Sequence, residues 1–94
     1  MSLTDRFLIH EKPWNGGLSR IYRFPNGMGL SLINSSIARC YPFAWEAAVI
    51  RGVNDDGTFK SLDYSTQLTD DVVVFDTDDE ANEFIFRASQ IFGA

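Results

Sequence analysis

His10 and Cys40 are the only histidine and the only cysteine of the chain. A Cys–His pair is therefore the one nucleophilic couple it can offer. Nothing in the pattern brings the two together, and a loop thiol with a surface imidazole is the plainer reading. No Gly-x-Ser-x-Gly elbow, no glycine-rich loop opening a helix and no metal-spaced His/Cys cluster is present. The expectation is a non-enzymatic protein with no catalytic residues, no cofactor and no metal.

Carboxylates are the other chemistry on offer. The segment from Ser61 to Phe86 holds eight acidic residues and no Lys or Arg. Hard cations take several oxygens, so Asp76-Thr77-Asp78-Asp79-Glu80 invites a calcium reading. It lacks the alternating spacing and central glycine of an EF-hand loop, and helix capping explains the same residues. Asn54-Asp55-Asp56-Gly57 likewise reads as a turn before it reads as a cation loop. A further reading takes Asp70, Asp71, Asp76, Asp78, Asp79, Glu80 and Glu83 as a DNA-mimicking surface. Its alternative is a capped helix with a solvated acidic head.

The helix that holds these acids begins with a capping box, Thr77 and Glu80, and has Asp78 and Asp79 where its dipole favours negative charge. Ala81, Phe84, Ile85, Ala88, Ile91 and Phe92 recur at helical spacing as one apolar stripe. Gly93 is placed to stop it. Phe86 breaks the pattern, falling on the wet side among Asn82, Glu83 and Gln90. It either packs beneath an N-terminal arm (Leu3, Phe7) or anchors a contact with another chain, a homodimer being the simplest version. Phe86, Asp70, Asp71, Asp79 and Glu83 are accordingly the candidate protein-binding residues.

The remaining elements are read from turns. Phe24-Pro25-Asn26-Gly27-Met28 has a proline that presets the first corner and a glycine for the left-handed position of a three-residue loop with a bulge. That turn sets Tyr22 against Leu30, Arg20 against Leu32 and Leu18 against Asn34. One face of the hairpin is mostly apolar (Leu18, Tyr22, Phe24, Met28, Leu30, Leu32). The other carries Ser19, Ile21, Arg23, Gly29, Ser31 and Ile33. Arg6–Lys12 reads as a first strand, with a frayed arm, residues 1–5 above all, as the alternative. Asn15-Gly16 marks the next turn. Residues 35–43 have no period and read as a loop. Ala44–Val53 has no strongly polar face and reads as a central strand. Asn54–Gly57 repeats the logic of the first turn, Thr58–Leu62 is a short return strand, residues 63–71 a loop, and Val72–Phe75 a short buried strand. The architecture is a single α+β domain, a two-layer arrangement of mostly antiparallel sheet with about five strands against one C-terminal helix.

The totals agree. Ninety-four residues suit one domain with a modest core, and 45% apolar with 14% aromatic content is globular. A single cysteine forms no internal disulfide. No stretch approaches the length of a membrane span, and the N-terminus lacks the layout of a signal peptide. A soluble, cytoplasmic protein without membrane contact is expected. The net charge of −5 disfavours direct binding to nucleic acid.

Three segments together, Phe24 to Ile33, Trp45-Glu46-Ala47-Ala48-Val49-Ile50 and Leu68-Thr69-Asp70-Asp71-Val72, resemble a layout of small uncharacterised proteins of tailed bacteriophages. Residues 35–43 depart from the glycine-rich connection of that layout. No activity attaches to it, so it lends no functional residue. It implies a phage-encoded accessory protein acting on a host or phage protein inside a bacterium. A structural or virion-associated homo-oligomer is the alternative.

Overall fold

The structure, a computed structural model, describes residues 3–14, 16–34, 45–63 and 73–93. Its strands are β1 (Leu8–Trp14), β2 (Gly17–Arg23), β3 (Met28–Asn34), β4 (Trp45–Arg51), β5 (Ser61–Leu62) and β6 (Val73–Phe75), followed by helix α1 (Asp78–Phe92).

The hairpin turn and the segment Asn54–Thr58 close in the same way. In each, a glycine amide donates to the carbonyl three residues back: Gly27 to Phe24 at 2.9 Å and Gly57 to Asn54 at 3.0 Å. In each, the first residue's amide donates to the fifth residue's carbonyl: Phe24 to Met28 and Asn54 to Thr58, both at 2.8 Å. Gly27 and Gly57 have φ of +90° and +87°, the left-handed values this turn demands.

The two turns have different consequences. The first fixes the β2–β3 register as the sequence predicts: Tyr22 faces Leu30, Arg20 faces Leu32 and Leu18 faces Asn34. The second joins no long hairpin, because the return strand is only Ser61–Leu62 rather than Thr58–Leu62. The chain leaves β4 after Arg51 and comes back at Lys60, whose amide donates to the Arg51 carbonyl. The excursion between them folds against the sheet, with Arg23 paired to Asp55 at 2.6 Å.

The sheet is antiparallel throughout, in the order β1-β2-β3-β4-β5 with β6 also on β4. β4 is thus interior, as its lack of a polar face suggested. β5 and β6 occupy one edge of β4, opposite Ile50–Arg51 and Trp45–Ala47 respectively. The first strand runs Leu8–Trp14, displaced from the predicted Arg6–Lys12, because Asp5–Leu8 is a turn closed by the Leu8 amide on the Asp5 carbonyl.

α1 covers one face. Tyr22, Leu30, Leu32, Trp45, Ala47 and Val49 of the sheet pack with Ala81, Phe84, Ile85, Ala88 and Phe92 of the helix. Burying a side chain the size of Leu30 or Ile85 contributes about 1.5–3 kcal/mol. The Thr77 hydroxyl accepts the Glu80 amide at 3.2 Å, and the Trp45 indole N–H donates to Asp78 at 2.8 Å, fixing the helix start to β4. Ile91 corrects the predicted stripe: it is 37% exposed. At about 100° per residue it sits on the stripe's border, two turns beyond Phe84, which already takes up Phe75 of the three-residue β6.

The face away from α1 is not simply polar. Ile21, Ile50 and Val53 are buried there with Ile9 beside them, under the excursion that follows β4. The predicted two layers hold, with this small second core added. No helix among the described residues is long and apolar enough to cross a membrane.

Candidate functional site: the cleft beside Phe86

An N-terminal arm, Leu3 to Phe7, crosses α1. Leu3 is buried in the main core. The Thr4 amide donates to Asn82 Oδ1 at 2.8 Å, and the Thr4 carbonyl accepts from the Tyr22 hydroxyl at 2.8 Å and from Arg20 at 3.2 Å. Arg20 also meets Asp5, Glu11 and the Tyr22 hydroxyl. One guanidinium, largely withdrawn from water, thus ties the arm to β1 and β2. Burial pushes the Tyr22 hydroxyl above its ordinary pKa, against the opposing pull of Arg20.

The arm ends in a strained residue. Phe7 has φ +71°, the only positive φ outside glycine among the described residues. An aromatic residue held there costs roughly 1–2 kcal/mol, so its surroundings must impose the conformation. They do. The Phe7 carbonyl accepts the Arg23 amide at 2.9 Å, its ring stands edge-on to Phe24 at 5.0 Å, and the Arg6 guanidinium lies 5.1 Å from the ring centroid.

Between arm and helix lies a cleft of about 410 Å³. Phe7, Ile85 and Phe86 supply its apolar lining, with Arg6 on the arm side and Glu83 on the helix side. Phe86 remains 57% exposed. The arm therefore packs by sending Leu3 into the core and Phe7 onto Phe24, and it does not cover Phe86.

Of the candidate protein-binding residues, the helix brings three together. Asp79, Glu83 and Phe86 fall within one side of α1, seven residues being close to two turns, and all three are exposed. Asp70 and Asp71 lie outside the described residues, as do Cys40 and the segments 35–43 and 64–72. Asp78, counted in the DNA-mimic reading, is half-buried and engaged by Trp45. Asp55 is paired with Arg23, and Asp56 accepts both the amide and the hydroxyl of Thr58, which holds its carboxyl below the usual range. Among the described residues, no three His, Cys, Asp or Glu side chains gather closely enough to hold a metal ion. His10 sits across the sheet against Gly57, not at this cleft.

Sequence reasoning missed Arg6 and Asn82 as cleft residues and Phe7 as a strained one. Phenylalanine carries no signature of positive φ. The one readable signal was Asp5, a residue favoured at the first position of a tight turn. No family model matches the chain, and no curated protein or solved structure matches it either.

Proposed function

We propose that the chain is a non-enzymatic protein-interaction domain that contacts its partner through Phe86, the adjoining cleft and the carboxylates of Asp79 and Glu83. The observation that carries this reading is Phe86, a large aromatic left 57% exposed at the mouth of an apolar cleft. Aromatic anchors beside pockets are where binding energy concentrates. The flanking acids favour a partner that presents an apolar side chain among basic residues. The resemblance to small phage proteins supports a phage-encoded accessory protein, with a host or phage protein of the bacterial cytoplasm as partner.

The test is capture from a bacterial lysate with the native protein and with Phe86→Ser, followed by titration of the purified partner. Loss of affinity by tenfold or more (about 1.4 kcal/mol) in the variant is expected. A partner held equally well by both proteins places the interface elsewhere. A homo-oligomer is the second reading, favoured by one feature: Arg6 and Glu83 line the same cleft, so two copies related by a two-fold axis would set Arg6 of each against Glu83 of the other. Sedimentation showing a monomer at high concentration removes it.

A further inference from the structure

The sheet face opposite α1 carries a second hollow, independent of the Phe86 cleft. Its floor is laid by alternation along β2 and β3, which turns Ser19 and Ile21, then Ser31 and Ile33, to the same side. Trp14 and His10 of β1 and Thr58 and Phe59 of the excursion line it too, around a volume of about 250 Å³. The wall is fixed where His10 meets Gly57: a Cβ there would stand 2.6 Å from the imidazole.

Ser19 makes this hollow more than a gap. It is the buried polar residue of the described chain, at 7% exposure, and its hydroxyl makes no hydrogen bond with any described residue. No fully enclosed polar side-chain atom of the described residues lacks a partner, so the Ser19 hydroxyl opens into the hollow. Ser31, on the neighbouring strand, lines it as well.

We propose that this hollow binds a neutral carbohydrate of one or two rings. Sugars present hydroxyls on their edges and C–H groups on their faces, and the hollow offers both complements: serine hydroxyls between isoleucines, with Trp14 and Phe59 as apolar surfaces. The floor holds no charge. At the rim, Lys12 is exposed and Asp56 is already engaged with Thr58, so the opposed charges favour a neutral ligand over an anion. The volume lies just below the usual range for drug-sized ligands, which suits a single ring. An adjoining hollow of about 180 Å³ shares Ser31 and Ile33 and gives room for a second.

The test is titration of the native protein with methyl glucoside, maltose, cellobiose and lactose, read by tryptophan fluorescence and by calorimetry. Saturable binding of at least one disaccharide is expected, more tightly than methyl glucoside. Ser19→Ala should weaken it tenfold or more while leaving the denaturation midpoint unchanged or higher, because the replaced hydroxyl has no partner among the described residues. Trp14→Ala should remove the fluorescence response. The proposal is overturned if no sugar binds at concentrations up to about 50 mM. It is also overturned if inorganic phosphate binds in a Ser19-dependent manner where sugars do not, or if Ser19→Ala lowers the midpoint.

Discussion

The amide of Asn26, at the tip of the β2–β3 hairpin, donates to the carbonyl of Phe92, the last residue of α1, at 3.3 Å. Helices leave their final carbonyls without internal partners, and a positively charged side chain in the last turn often compensates. α1 has no basic residue there. Gly93 does not close the helix in the left-handed form either, having φ −97°. The hairpin turn supplies the cap, so the geometry of one element finishes the other.

That coupling sharpens what a substitution at the turn does. A Cβ at position 27 meets no atom within 4 Å, so Gly27→Val acts chiefly through the backbone. Forcing a β-branched residue to φ +90° should destabilise the domain by about 1–2 kcal/mol. Because Asn26 moves with its neighbour, the end of α1 should fray as well. Urea midpoints and amide exchange of the Phe92 region measure both effects, and an unchanged midpoint would refute the turn assignment.

Tyr22 gives a prediction in pH. Its raised pKa, caused first by burial, means the unfolded chain loses this proton before the folded chain does. Stability from this group is therefore complete below the ordinary tyrosine pKa of about 10 and is lost as pH rises through the higher folded value. Tyr22→Phe removes that dependence and costs about 1 kcal/mol at neutral pH, for the bond to Thr4. Tyr41 and Tyr64 are present in both proteins, so the difference between their alkaline unfolding curves isolates Tyr22. Parallel curves above pH 10 would contradict the buried setting.

Much of this fold was legible because its turns are written in residue types. Pro25, Gly27 and Gly57 have conformations few other residues take, and register follows from a turn by counting. The helix start was equally readable from Thr77 and Glu80. What escaped is set by packing at a distance. Nothing local says that the Asn54–Thr58 turn would fold onto His10, and so bury Ile21 on the face opposite the helix. Ile91 obeys the helical period and still lies beyond the short β6. At the candidate site, Phe86, Asp79 and Glu83 shared a face by helical geometry alone. The cleft itself needed Phe7 in a backbone conformation that its side chain gives no reason to expect.

The acidic side of α1 should reveal itself through salt. If Asp79 and Glu83 face a basic partner, affinity should fall steadily as ionic strength is raised through the physiological range. Replacing both (Asp79→Asn, Glu83→Gln) should weaken the complex by roughly 0.5–2 kcal/mol, the sum expected for two exposed ion pairs. Asp79 also lies in the first turn of α1, so its loss costs up to about 1 kcal/mol of helix stability. Far-ultraviolet circular dichroism should remain native. A complex indifferent to salt and to both substitutions would exclude these carboxylates from the interface.

The last prediction separates the arm's two aromatic neighbourhoods. Leu3 is 6% exposed within the main core, whereas Phe86 is 57% exposed at the cleft. If the arm is held by Leu3 and by the polar ties at Thr4, then Leu3→Ala should cost about 2–5 kcal/mol, the range for a buried leucine. It should also free the Thr4 amide from Asn82 and speed its hydrogen exchange. Phe86→Ser should cost under about 1 kcal/mol, since most of its ring faces water and no described aromatic ring stacks on it. Binding should run the other way: Phe86→Ser should lose the partner while the monomer stays folded. An arm resting on Phe86 would reverse the order of these stabilities, with Phe86→Ser the more damaging change. Denaturant midpoints of the two single variants therefore decide whether Phe86 is kept for the fold or for a contact outside it.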